Sequence, residues 1–334
     1  MTSARWERYH MGAPPDARST AAPAMKIQSP DGKLPSKVDF RAQCSPIDDQ
    51  GTLMSCAACA VVGAMEYLIG KADGRIHEYS RLFVYYNGRK IAGETNQDSG
   101  LATPHAIAAA LAYGIAPEPT WPYDIQRFRE EPPQTVYQAA QSVGGVAYAQ
   151  TPRGEPARAA LASGFPVIFR YYGPVDLIRA VRGDGRMAPW QGAPAPQGMG
   201  HTMMMVGYDD DQRCAIVRNS WGADFGDKGY FYMPYDVMEN ATQAMEYWMM
   251  GVIGEKLLPM AVGVGGSVRQ AVEHTIANGK EQAMDSLKQL GADLRKDLQD
   301  SLDSSKQSIR DRLRAQEDQM AQKRNRDGGG NQNN

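Results

Sequence analysis

Four side chains spread along the chain have the types needed for acyl transfer. Cys56 stands in Gln50-Gly51-Thr52-Leu53-Met54-Ser55-Cys56-Ala57-Ala58-Cys59, where a helix is expected to begin. Far downstream lie Gly200-His201 and Asn219-Ser220-Trp221-Gly222. A thiol attacks a carbonyl as its thiolate, and a free thiol with a pKa of about 8.5 is mostly protonated at neutral pH. The positive end of a helix and a neighbouring imidazolium both lower that value. Cys56 would have the first from its own helix and the second from His201. His201 would then act as base and, toward the leaving amine, as acid. The Asn219 amide oxygen can hold the imidazole in one tautomer. The Gln50 amide and the Cys56 N–H are candidate donors to a developing oxyanion.

These side chains need elements to hold them. Cys56 to Ile69 reads as a buried helix of small apolar residues. Leu82 to Tyr86 and the Ala-rich stretch Ala102 to Tyr113 read as two more, the latter ended by Gly114. Glu155 to Ser163 reads as a short helix ended by Gly164. Strand signals follow at Phe165 to Tyr172, His201 to Tyr208, Cys214 to Asn219 and Gly229 to Met233. Met203-Met204-Met205 fits a buried strand beside His201, since methionine fills irregular cores. Helices before strands imply an α+β fold in two lobes.

Outside this region the composition changes. Residues 1–33 are rich in Pro, Ala and Ser without periodicity and read as a flexible lead. Residues 34–254 read as the folded domain. Residues 255–334 have no aromatic residue and no cysteine, and apolar residues recur every eleven positions at Ile276, Leu287, Leu298, Ile309 and Met320. An eleven-residue repeat is about 3.67 residues per turn, so this tail reads as a long amphipathic helix with a disordered end. Residues 266–322 could serve a helical partner or self-association.

The net charge of -2 among 334 residues offers nothing for nucleic acid. The sequence holds no apolar run long enough to span a membrane, and residues 1–30 lack an apolar h-region, so no secretory signal peptide is expected. Cys44, Cys56, Cys59 and Cys214 are too few for a disulfide framework. A cytoplasmic location is expected, or export by a route that needs no signal peptide.

Taken together, the motifs resemble the papain family of cysteine proteases. Leu34-Pro35-Ser36-Lys37-Val38-Asp39-Phe40-Arg41 is similar to the start of a mature enzyme, and Gln50 through Cys56 to the nucleophile motif. Asp98-Ser99-Gly100, Trp121-Pro122-Tyr123, Gly200-His201 with Val206-Gly207-Tyr208, and Asn219-Ser220-Trp221-Gly222 continue the likeness. The resemblance implies a two-lobed fold, peptide or protein substrates, and no metal or organic cofactor. It implies catalytic roles for Cys56, His201, Asn219 and Gln50, and substrate contacts at Met54, Ser55 and Gly200. Trp221 would shield the Asn–His contact from water.

Leu53, Met54 and Ala57 depart from the family. Leu53 removes half of a common disulfide, Met54 replaces a glycine next to substrate, and Ala57 removes an aromatic from the cleft. Met54 is expected to narrow the site or change the local backbone. With few residues before Leu34, a full inhibitory propeptide is not expected; the loop 183–200 or the tail could cover the cleft instead. Three other readings compete: a non-catalytic peptide-binding module, a thiol acyl-transferase or deamidase, and a redox enzyme using Cys56-Ala57-Ala58-Cys59. The redox motif calls for an early strand that the first 55 residues do not offer; a reversible Cys56–Cys59 bond is the milder form of that reading.

Overall fold

A run of small residues builds the first long helix of the computed structural model. The structure describes residues 6–14, 33–141, 145–189, 200–240 and 243–253. Helix α1 spans Cys56–Asp73, and its residues from Cys56 to Leu68 are all buried. The small side chains admit close neighbours: a Cβ added at Gly63 would lie 3.3 Å from Arg218 Nε. The helix ends at Gly74, whose φ of 74° suits a residue without a Cβ. Helix α2 spans Arg81–Ala92; the Ser80 side chain caps it by accepting from the Phe83 N–H. Helix α3 spans Thr103–Tyr113 and ends at Gly114. Four shorter helices follow: α4 at Gln134–Ala140, α5 at Glu155–Ala162, α6 at Val175–Arg179 and α7 at Tyr235–Met238.

The strands are β1 (Lys37–Asp39), β2 (Gly145–Gln150), β3 (Val167–Tyr171), β4 (His201–Asp209), β5 (Cys214–Arg218), β6 (Tyr230–Pro234) and β7 (Ala244–Ile253). They form one antiparallel sheet in the order β2-β7-β3-β4-β5-β6. Strand β4 is its centre: β3 pairs with His201–Met205, and β1 pairs with Gly207–Asp209. Every residue of β3, β4 and β5 is buried. That burial explains why they read as continuous apolar runs, the three methionines included. Helix α1 packs against α2, α3 and β4, so it joins the helices to the sheet.

The α+β reading holds, with two corrections. Strand β1 precedes every helix and β2 interrupts them, so the order is not simply helices and then strands. Strands β2 and β7 were also not legible. Strand β7 (AMEYWMMGVI) mixes Met, Gly and Glu, and Glu246 sits at φ 57° beside an irregularity in the β3 pairing. Such a strand shows no alternation, and only its partners define it. The expected tail helix, with its 266–322 stretch, lies outside the described residues.

Candidate active site

The thiol sits at a helix start and against the central strand. Cys56 is the first residue of α1, and its Sγ accepts a hydrogen bond from the Thr202 N–H at 3.5 Å. Thr202 follows His201, which opens β4. His201 Nε2 pairs with Asn219 Oδ1 at 2.8 Å. An amide oxygen only accepts, so Nε2 carries the proton and Nδ1 keeps its lone pair. Nδ1 is buried and makes no hydrogen bond among the described residues. The Trp221 ring packs against the imidazole, with centroids 5.2 Å apart, and is itself buried.

Gln50 reaches this centre through a small β-like contact. Its N–H donates to the Ser220 carbonyl at 2.9 Å, Asp49 bridges Trp221, and the Gly222 N–H donates to the Asp48 carbonyl at 2.9 Å. Ser220 Oγ donates to Gln50 Oε1 at 2.7 Å, which turns Nε2 in a set direction. Nε2 donates to the Leu53 carbonyl at 2.8 Å and points its other hydrogen at the His10 carbonyl, 3.4 Å away.

That carbonyl belongs to a segment lying across the site. Residues 6–14 form a strap. The Ala13 N–H donates to the Gly200 carbonyl and the Gly200 N–H to the Ala13 carbonyl, both at 2.8 Å. The Leu101 N–H donates to the Gly12 carbonyl at 2.7 Å. Tyr9 stacks on Trp221 at 5.1 Å and donates to Asp49 Oδ1 at 2.9 Å, while Trp6 meets Phe225 edge-on. Beneath the strap, Cys56 and His201 are both 0% exposed. Part of the lead expected to be flexible is therefore ordered by the cleft itself, which explains why it needs no periodicity of its own. The loop residues 190–199 and the tail, the other candidates to cover the cleft, lie outside the described residues.

Burial decides the protonation of the closed site. It pushes the Cys56 thiol up, against hydrogen bonds from the N–H groups of Thr202, Gly12, Ala57 and Cys56 itself. It pulls His201 down to about 4, against the Asn219 contact, which favours the charged form. Under the strap both groups are therefore neutral near pH 7.

Of the three residues expected to touch substrate, two face the strap. Gly200 pairs with Ala13, and Met54 abuts Gly12. Ser55 instead turns its hydroxyl to Tyr123. Met54 is not among the positive-φ residues, so its side chain is carried without backbone strain. Its N–H is held by the Asp98 carboxylate at 3.2 Å, and Tyr85 donates to the same carboxylate. Ala57 is buried, and all four cysteines are unpaired.

Comparisons with known proteins identify the family. The family model for papain family cysteine proteases matches residues 34–250. The chain belongs to the papain family of cysteine proteases. An uncharacterized peptidase C1-like protein of Acanthamoeba polyphaga mimivirus is 31% identical over 63% of this chain and 71% of its own length. Papain of Carica papaya is 27% identical over 60% of this chain and 55% of its own length. Among solved structures, xylellain, a cysteine protease from Xylella fastidiosa, aligns with a TM-score of 0.65 and 29% identity, over 73% of this chain and 96% of that one. The fold is thus papain-like α+β.

Thr202, Ser220, Tyr123 and the strap escaped the sequence reading. Thr202 acts through its backbone, which carries no sequence signal. Ser220 and Tyr123 lay inside recognised motifs, yet nothing in their spacing shows that both converge on Gln50.

Proposed function

We propose that the chain hydrolyses peptide bonds through an acyl-enzyme on Cys56. His201 Nδ1 takes the thiol proton, and the thiolate attacks the carbonyl carbon. The Gln50 amide and the Cys56 N–H receive the oxyanion. The imidazolium then protonates the leaving amine, and with the amine gone His201 activates water to free the acid. Asn219 holds the imidazole in the tautomer this requires. The single observation that carries the reading is the 2.8 Å His201–Asn219 contact, made by Nε2 and leaving Nδ1 unpartnered one residue from the N–H that touches the thiol.

The strap makes the described state a closed one, so the experiment needs it displaced. Gly12→Glu in the full-length chain serves, because no side chain fits there. This variant is expected to cleave a casein-derived peptide mixture and to lose all cleavage when Cys56→Ala is added. Undiminished cleavage by the double variant would refute the assignment. Among the described residues nothing favours the peptide-binding module or the acyl-transferase over hydrolysis. A reducing compartment suits the four unpaired cysteines.

A further inference from the structure

Hydrolysis leaves two features of the site unexplained: the second cysteine of Cys56-Ala57-Ala58-Cys59, and a tyrosine hydroxyl beneath the loop that carries Gln50. Tyr123 Oη lies 2.9 Å from the Gln50 carbonyl oxygen and 2.6 Å from Ser55 Oγ. A carbonyl cannot donate, so the single phenolic hydrogen goes to Gln50 and Ser55 must donate to Tyr123. Ser55 Oγ in turn lies 4.0 Å from Cys59 Sγ. With the serine hydrogen already committed, the Cys59 S–H is the donor there. The result is one directed chain, Cys59 to Ser55 to Tyr123 to the Gln50 carbonyl, whose members polarise one another in the same sense.

The chain explains a local oddity. Ser55 is the N-cap of α1, yet its side chain makes no capping bond. Its hydroxyl is held by Tyr123 instead. One phenol thus pins the loop at two points, Gln50 and the residue before the nucleophile. Tyr123 is fixed in its turn: its N–H donates to Glu118 Oε1 at 2.7 Å, and the Arg81 guanidinium lies 4.5 Å from its ring centroid. Burial pushes both the Tyr123 phenol and the Cys59 thiol well up, so both keep the hydrogens they donate.

We propose that Tyr123 is the positioning residue that presets the oxyanion-binding stretch Gln50–Cys56, and that Cys59 is the terminal donor of the chain that holds it, not a redox partner of Cys56. The inference rests on the reading of Gln50 and the Cys56 N–H as the oxyanion donors. Tyr123 acts through these two groups and touches no substrate atom.

The test uses full-length chains carrying Gly12→Glu, with Tyr123→Phe or Ser55→Ala added. Two reagents separate positioning from general damage. A peptide aldehyde adds to the thiol and places an oxygen in the oxyanion site, whereas iodoacetamide alkylates the same sulfur and forms no oxyanion. Deleting a direct oxyanion donor costs roughly 10²–10³ in kcat, so loosening the loop is expected to cost about ten-fold, with KM within about two-fold. Aldehyde affinity should fall by the same factor and the alkylation rate should hold. Ser55→Ala, which leaves the tyrosine in place, should shift the same two quantities in the same direction. Unchanged kcat and aldehyde affinity in both variants would overturn the inference, as would a matching fall in alkylation rate. Gln50→Ala with unchanged kcat would refute the oxyanion reading itself, and activity surviving Cys56→Ala would refute the hydrolase.

Discussion

Replacing Gly12 by alanine should open the site without touching any residue proposed for catalysis. A Cβ built on Gly12 would lie 2.5 Å or less from three Met54 atoms, its carbonyl oxygen, Cβ and carbonyl carbon. Two of these are backbone, and the Met54 N–H is tied to Asp98, so no side-chain rotation relieves the overlap. On its other side the strap is pinned by the paired Ala13–Gly200 bonds and by Leu101. Overpacking of this kind costs roughly 1–3 kcal/mol. It falls on the closed state alone, because an open strap has room for the methyl group. At about 1.4 kcal/mol per factor of ten, the open population should rise about 5- to 150-fold. The assay is the iodoacetamide labelling rate of Cys56 in the full-length chain at pH 7, with the site assigned by peptide mass so that half-buried Cys44 is counted separately. Labelling requires an open cleft, because Cys56 is 0% exposed when the strap is seated. A rate equal to that of the unsubstituted chain would refute the reasoning, since it would mean that the Gly12–Met54 contact does not hold the cleft shut.

Two further outcomes are expected. Acid should loosen the strap: His201 titrates at about 4 when covered, against an ordinary value near 6.5, so the open state takes up a proton that the closed state refuses. Closure is at full strength above about pH 6.5 and weakens by about 1.4 kcal/mol per unit down to about pH 4, giving about 30-fold more opening at pH 5. Hydrogen-exchange protection of the strap amides, corrected for intrinsic rates, reads this directly, and protection that stays constant between pH 7 and 5 would contradict it. Arg218→Met should lower stability by about 1–3 kcal/mol in urea unfolding, because it leaves the buried Ser45 carbonyl without its donor, while Asp48 keeps its ion pair with Arg81. Arg218 is 4% exposed, lies 3.7 Å from Asp48 and donates to the Ser45 carbonyl at 2.6 Å; an unchanged unfolding midpoint would show that the Arg218 contacts are dispensable.

Much of this protein was legible in one dimension because the relevant physics is local. Helix α1 could be read from its small apolar run and its first residue, since a helix start is a local event, and Gly114 marked the end of α3 for the same reason. Strands β3, β4 and β5 showed as apolar runs because all their residues are buried. The residue types of the centre, Cys56, His201, Asn219 and Gln50, were legible because their chemistry lies in their side chains. Other features depend on partners distant in sequence. Strand β7 exists through its pairing with β2 and β3. The strap has no periodicity and is ordered by Trp221, Gly200 and Leu101, far along the chain. Met54 reads in sequence as a residue that narrows the site or changes the local backbone; in three dimensions it meets a glycine on the strap, so a small residue lies on the other side of the contact. Residue types and short spacings determined which chemistry this chain could perform and where its main helices begin. Tertiary structure alone decided that the site is closed, that its acid and base are neutral beneath the strap, and that Ser55, Tyr123 and Cys59 converge on Gln50, because burial and hydrogen-bond direction exist only once distant segments meet.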